Sequence, residues 1–525
     1  MSNAKILDCT LRDGGYVNDF AFGQKAIHKI ISQLTSAGID VVECGFLEDC
    51  EYDSNDSVFN TVEQIERFLP VDHKNTMYVA MACYGEYSLS QLSPYNGRSI
   101  DGIRVTFHYN EVDGAIEYCR QIIAKGYKVF VQPVGTTSYT DEQLLELIDK
   151  VNTLHPFAFY LVDTLGLMQK NDVLRYFYLI DHNLNRDIHM GFHSHNNLQL
   201  SYSNCQALVE WSSDRVVFLD SSVYGMGRGA GNLNTELIAS YLNAHQEFRF
   251  DIEPILEVVD EFIADIKSKY NWGYCVPYYL AAINGCHPNY ASYLNNKQTL
   301  TVRSIAMILK MIELDKRALF DKELIEQKYL EYQSNEIDDR ECVSLLKKSF
   351  SGKNILLIAP GASIEEHKTQ IVDFASAQDC IIVSVAFVPD FIACDYVFIS
   401  NLRRYQTTFN VADNKARIIH TSNIKVAEND KIVVNYSSLL NDTEVIRDNT
   451  SMLLLNLLSK LSVKTVYLVG MDGYKANAVN YYKDSLHTIG DNEHYMKINE
   501  AIIGRIQQLK KTLDIRFITP SLYNK

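Results

Sequence analysis

The chain has 525 residues, 47% of them apolar and 22% charged. This globular balance excludes disorder and fibrous architectures for its bulk, and at about 150 residues per domain it supplies roughly three domains, or one large barrel plus a smaller unit. Acidic residues outnumber basic ones, 65 to 49, for a formal charge of −16, a field that opposes phosphate polymers and anionic lipid, so neither nucleic acid nor a membrane is an expected partner.

The 11 cysteines show no CxxC pair and no disulfide-scaffold spacing, which fits a reducing compartment. The opening residues, Ala4-Lys5-Ile6-Leu7-Asp8, enter strand-like sequence with no charged-then-apolar leader. A soluble, cytoplasmic protein is expected. Strand-like runs then begin near Ala4, Val41, Met77, Gly102, Lys128, Phe159, His189 and Val216, about 30 residues apart, the length of a βα unit. Between the first two, Ile27, Ile30, Ile31 and Leu34 fall at i, i+3, i+4, i+7 and share one helix face. Eight such units predict a (β/α)8 TIM barrel over residues 1–250; an open doubly wound sheet would give most of the same periodicity.

From about Asp251 the strand signal stops. Residues 251–350 read as a helical appendage and linker around the aromatic segment Trp272-Gly273-Tyr274-Cys275-Val276-Pro277. Apolar runs at Ile355–Ile358, Ile381–Val383, Tyr396–Ile399, Ile432–Val434 and Val466–Val469 then predict a separate Rossmann-like α/β domain over 351–525.

In a barrel the reactive face lies at the carboxyl ends of the strands. The first strand runs into Asp8-Cys9-Thr10-Leu11-Arg12-Asp13-Gly14-Gly15-Tyr16, the second is read as ending at Glu43, the sixth ends in Asp163-Thr164-Leu165-Gly166, and the seventh in His193-Ser194-His195-Asn196. Residues i and i+2 of a strand point the same way, so both imidazoles can face one point. Beyond the eighth lies the glycine-rich Gly225-Met226-Gly227-Arg228-Gly229-Ala230-Gly231-Asn232. Two histidines and a carboxylate suit a divalent metal, Mn²⁺ or Mg²⁺ in oxygen-rich surroundings, with Zn²⁺ or Co²⁺ also tolerated. The plain alternatives are a chance histidine pair and, for Glu43, a solvated loop carboxylate.

The order Asp-x-Thr-Leu-Arg-Asp-Gly, Glu-x-Gly-Phe, Asp-Thr-x-Gly, His-x-His-Asn, Gly-x-Gly-Asn resembles the DRE-TIM metallolyases, the HMGL-like (pyruvate carboxyltransferase-type) barrels that include 4-hydroxy-2-oxovalerate aldolase, HMG-CoA lyase and isopropylmalate synthase. The resemblance covers roughly residues 4–240. It implies a divalent cation held by Asp13, His193 and His195, with Asn232 as a fourth ligand in some branches. It also implies that Arg12 stabilises a pyruvate-like enolate oxygen and Thr164 contacts the substrate carboxylate. The expected activity is a carbon–carbon lyase acting on a 2-oxo acid and an aldehyde, in a homo-oligomer. An acyl-CoA/2-oxo acid condensing transferase is the alternative, or a catalytically altered barrel that scaffolds the second domain.

One position departs from the family. Where the aldolase branch carries histidine and other branches glutamine, this chain has Tyr16, and a phenol with a pKa near 10 is a poor base at neutral pH. Tyr16 is the candidate general base, with a metal-bound hydroxide or Tyr274 as alternatives; Tyr274 lies in a stretch loosely like the one that closes the site in the aldolases, or packs simply between helices.

The second domain opens with a strand and a tight turn, Ile358-Ala359-Pro360-Gly361-Ala362-Ser363, and a later strand ends in Gly470-Met471-Asp472-Gly473. Gly361 and Ser363 could receive phosphate at a helix start, or Ser363 could cap that helix with Glu366; Asp472 could meet a ligand hydroxyl. These turns are similar to those of bacterial sialyltransferase-like and motility-accessory domains of surface-polysaccharide pathways, which implies a sugar nucleotide or phosphate ligand and a carbohydrate-derived aldehyde for the barrel.

Overall fold

In the first half the strands are buried almost throughout, on both faces. The nine strands are β1 (Asn3–Asp8), β2 (Val41–Leu47), β3 (Val58–Phe59), β4 (Met77–Cys83), β5 (Gly102–Phe107), β6 (Lys128–Pro133), β7 (Ala158–Asp163), β8 (His189–Ser194) and β9 (Val216–Ser221). All but β3 form one parallel ring, in which β9 returns to β1 in continuous register from Asn3↔Val216 to Asp8↔Ser221 and β1 also pairs with β2. The sheet is closed, which decides for the barrel over the open sheet. The computed structural model describes residues 3–524 other than 212, 410–415, 426–431, 476–477 and 484–491. Among the described residues no helix is long and apolar enough to cross a membrane.

Inside the ring, Leu7, Val41, Val79, Phe130, Ala158, Tyr160 and Phe218 pack as one cluster, while their neighbours of opposite parity pack outward against the helices. The helix Gln24–Ser36 shows how: Ile27, Ile30, Ile31 and Leu34 are all fully buried, each contributing about 1.5–3 kcal/mol by leaving water. Gly191 lacks a side chain because a Cβ there would lie 2.3 Å from the Tyr160 ring. Two residues beyond the inward Val41 and Phe218 come Glu43 and Asp220, so the inner wall turns from apolar to charged toward the carboxyl ends.

The second strand does not end at Glu43. It continues to Leu47 through a register shift between Glu43 and Phe46, made by Gly45, whose φ of +145° and approach to the Ser57 carbonyl leave no room for a Cβ.

The described chain divides into two compact units, residues 1–292 with 313–320, and 293–312 with 321–525. Helices Glu253–Val258, Ala264–Lys269 and Val276–Ile283 lie in the unit that holds the barrel; Val302–Lys310, Lys322–Gln333 and Arg340–Phe350 lie in the other.

That second unit contains an open, all-parallel sheet of β10 (Asn354–Ile358), β11 (Cys380–Val385), β12 (Tyr396–Ile399), β13 (Arg417–Thr421), β14 (Ile432–Val434), β15 (Thr465–Val469) and β16 (Asp514–Phe517), in the order β14-β13-β12-β11-β10-β15-β16. The apolar runs located five of these. The other two, Arg417-Ile-Ile-His-Thr and Asp514-Ile-Arg-Phe, carry too few consecutive apolar residues to stand out; β16 is an edge strand, where charge on the solvent side is ordinary.

Candidate active site

At the carboxyl end of β1 the chain turns back on the Cys9 carbonyl, which accepts the amides of Arg12 and Asp13. This buries both side chains at the barrel mouth. Arg12 Nη1 donates to Asp13 Oδ1 at 2.5 Å and Arg12 Nε to Glu43 Oε2 at 2.8 Å. Glu43 is fully buried and also receives Arg104 Nη1 at 2.7 Å; Arg104 in turn pairs with Asp220 Oδ2. Asp220 closes the series on His193 Nδ1 at 2.9 Å. Ion pairs and hydrogen bonds thus run unbroken from Asp13 to His193.

Asp13, His193 and His195 offer ligand atoms all within 4.8 Å of one another, and all three side chains are buried. Burial opposes the charge of Asp13, but Arg12, His195 and His193 outweigh it and hold the carboxyl far below the usual range. Burial pushes His195 down to about 3 against the pull of Asp13, with His193 and Arg228 adding to the fall. The imidazole is therefore neutral at physiological pH, the form that ligates.

Three features fit a cation here. His195 Nδ1 and Asn232 Oδ1 are buried without a hydrogen-bond partner, a costly arrangement that a metal would relieve. Asn232 Nδ2 donates to Asp13 Oδ2 at 2.7 Å, so its oxygen lies beside the cluster. The three buried carboxylates Asp13, Glu43 and Asp220 face only two guanidiniums, leaving one negative charge to be balanced. Gly227 is small because a Cβ there would lie 2.5 Å from Asn232 Nδ2 and 2.9 Å from Asp13 Oδ2.

The remaining candidates separate. Thr164 follows β7 and its Oγ1 accepts the Gly135 amide at 2.9 Å; the preceding Asp163 binds the amides of Leu167 and Met168, both at 3.0 Å, and shapes that loop. Tyr16 lies in the short turn Gly14–Val17, 43% exposed, edge-on to Phe20 and Phe46 with the Arg228 guanidinium 5.4 Å from its ring centre. Burial pushes its phenol up to about 12 despite Arg12 and Arg228. Tyr274 is 56% exposed, and among the described residues no hydrogen bond or ring contact joins it to the cluster. Its segment is tied to the glycine-rich loop, where Trp272 Nε1 donates to the Tyr224 carbonyl at 3.2 Å and the Gly273 amide to Gly229 at 3.3 Å.

Sequence reasoning missed Arg104 and Asp220. The available signal was a lone charge at an inward position of an apolar strand, in Gly-Ile-Arg-Val-Thr-Phe and Val-Val-Phe-Leu-Asp-Ser.

In the second unit, both Asp472 oxygens are engaged by Ser363, its amide at 2.7 Å and its hydroxyl at 2.5 Å. Ser363 makes no side-chain cap on the following helix. Asp472 therefore holds the turn after β10.

A closed barrel with an Asp/His/His cluster at its strand ends is the framework of a metal-dependent lyase. Residues 3–261 match the HMGL-like family model, a match that supports a DRE-TIM metallolyase for the barrel. The chain is 27% identical over 256 residues to 4-hydroxy-2-oxovalerate aldolase of Thermomicrobium roseum, covering 48% of this chain and 69% of that protein. It is 24% identical over 245 residues to oxaloacetate decarboxylase of Mycobacterium tuberculosis, covering 45% and 69%. Among solved structures, HMG-CoA lyase of Brucella melitensis aligns with a TM-score of 0.39 at 16% identity, covering 49% of this chain and 96% of that one.

Proposed function

We propose that the barrel is a divalent-metal-dependent aldolase that cleaves or forms a 4-hydroxy-2-oxo acid, with pyruvate or a close 2-oxo acid and an aldehyde as its small-molecule partners. The observation that carries this reading is the burial of Asp13, His193 and His195 around one point with the Asn232 oxygen left unpartnered beside them. Asp13, His193 and His195 would hold the cation, Mn²⁺ or Mg²⁺, which supplies Lewis-acid polarisation of the keto oxygen.

Arg12, charged at every relevant pH and fixed by Glu43, opposes the negative charge that develops on the substrate oxygen. Glu43 is itself locked between two guanidiniums and acts as a positioning residue. Thr164 uses its oxygen as an acceptor for Gly135, which leaves its own proton for a substrate carboxylate.

Tyr16, with its pKa near 12, is a phenol at neutral pH and suits donating a proton to an enolate better than removing one from an alcohol. That property favours a second reading, loss of CO₂ from the C3 carboxylate of a 2-oxo diacid such as oxaloacetate, which leaves the electron pair in the same enolate and needs no base.

With Mn²⁺ or Mg²⁺ in D₂O, the protein should exchange the methyl protons of pyruvate, followed by NMR, and chelation should stop it. No exchange in a preparation shown to bind metal would remove both readings. Metal-dependent loss of CO₂ from oxaloacetate, with no cleavage of 4-hydroxy-2-oxo acids, would select the second. Coenzyme A release from acetyl-CoA and a 2-oxo acid would assign a condensing transferase instead.

A further inference from the structure

The sheet of the second unit reverses its order at one place. From β10, strands β11 to β14 extend to one side and β15 and β16 to the other. Connections leaving β10 and β15 must diverge there, and the carboxyl edge opens into a crevice, the usual ligand position in an open parallel sheet. In this unit it is a cavity of about 480 Å³, in the range that encloses small-molecule ligands.

Its floor is the pair of turns Ala359-Pro360-Gly361 and Gly470-Met471-Asp472-Gly473. They are fastened to each other: the Gly361 amide donates to the Gly470 carbonyl at 2.9 Å, and Ser363 binds Asp472 through amide and hydroxyl. A Cβ on Gly361 would sit 2.2 Å from the Gly470 oxygen. The floor is preformed. Pro360 has no amide proton, and the Gly361 and Ser363 amides are already used, so the turn after β10 offers an anion few backbone donors and side chains on the walls gain in weight.

The walls supply them. Tyr474 stacks on Tyr495 with ring centres 5.4 Å apart and planes 7° from parallel, and Tyr481 packs beside it. Arg404, on the helix Leu402–Phe409, lines the same cavity. Burial, reinforced by Arg403, pulls this guanidinium below the usual arginine pKa, with the Tyr481 phenol opposing; a cation so placed gains from an incoming anion. Lys297 and Lys322 also line the cavity but are paired with Glu326 and Glu444, and Asp448 accepts from Tyr329; neutral amides and hydroxyls, Asn401, Thr450 and Ser451 among them, suit a ligand rich in hydrogen-bonding groups.

We infer that this cavity binds a nucleoside phosphate, with the base taken by the tyrosine wall and the phosphate by Arg404. The inference stands apart from the reading of the barrel.

Calorimetry on the full chain with AMP, GMP, CMP and UMP, each beside its nucleoside and inorganic phosphate, tests it. At least one nucleotide should bind, about tenfold or more tighter than its nucleoside. Arg404→Gln should remove that difference while nucleoside binding stays, Arg404→Lys should restore part of it, and Tyr495→Ala should weaken nucleotide and nucleoside alike. Circular dichroism establishes that each variant is folded. The inference fails if no nucleotide binds, if inorganic phosphate binds as well as the nucleotides, or if folded Arg404→Gln and Tyr495→Ala both bind like the parent.

Discussion

The barrel mouth and the crevice of the second unit occupy the same kind of place, the carboxyl edge of parallel strands, and handle polarity in opposite ways. The barrel buries full charges and pairs nearly all of them with one another, from Asp13 through Arg12, Glu43, Arg104 and Asp220 to His193. The crevice sets tyrosines, amides and hydroxyls among a few charged side chains, Lys297, Lys322, Arg404, Glu444 and Asp448, that form no continuous series, and its floor is held by backbone contacts and one serine–aspartate pair. Buried charge is tolerated only when geometry satisfies it. The barrel site is therefore rigid and one positive charge short, ready for a cation and for charge developing in a reaction. The crevice suits a ligand that brings its own charge.

His193→Ala breaks this contrast most sharply. It removes one of three donors and leaves Asp220 without its imidazole partner. Metal content, measured by elemental analysis after dialysis, should fall to background, and pyruvate exchange should drop on the order of a thousandfold or more. Nucleotide binding in the second unit should not change. Full metal content and exchange in this variant would remove Asp13, His193 and His195 as the metal centre.

Arg104→Met tests whether the charge series is structural support for that centre. Arg104 is fully buried, on Glu43 and Asp220, with the Tyr160 ring 4.9 Å away. Its loss leaves Glu43 with Arg12 alone and Asp220 with His193 alone in the barrel interior, and urea denaturation should show a loss of about 3–5 kcal/mol. Because Asp220 orients His193, metal affinity should also fall about 10–100-fold. Asp220→Asn keeps the shape and should reproduce the affinity loss with a smaller stability loss. Unchanged affinity in both variants would confine the series to a packing role.

The two variants also mark what the sequence could disclose. His193 and His195 were visible because a strand places i and i+2 on one side, and Arg12-Asp13 because the chemistry is contiguous. The eight strand starts were visible because each barrel strand is buried on both faces and reads as an apolar run. Arg104 and Asp220 were hidden, since their partners lie 61 and 116 residues from Arg104 and only the fold brings them together. The end of β2 was misplaced because Gly45 makes a bulge, a backbone event with no apolar signature. In the second unit, Gly361 and Asp472 were picked out as ligand contacts. Both line the cavity, yet Asp472 is committed to Ser363, and the cationic and aromatic wall of Arg404, Tyr474 and Tyr495 comes from segments that composition alone does not connect.

The smallest expected effect concerns acid. His287, beside the helix Pro288–Asn296, is 8% exposed, and its Nδ1 accepts the Asn289 amide at 3.2 Å. Burial pushes its pKa down to about 3 from 6.5, with the Arg228 charge acting in the same direction. The sign follows from proton uptake: between pH 6.5 and 3 the unfolded chain binds a proton that the folded chain refuses, so stability falls as the pH drops, by up to about 1.4 kcal/mol per pH unit from this residue. His420, in the second unit, is also held low by burial, so some acid sensitivity belongs to both regions. His195 adds to the barrel unit's share, and His287→Gln removes only the part that belongs to this residue. Urea unfolding at pH 7, 6 and 5 should give a shallower pH slope in the variant, with a modest stability loss at pH 7 where the Asn289 amide loses its imidazole acceptor. Parallel slopes would mean that His287 takes up its proton in the folded barrel unit, so that this imidazole is not closed to water.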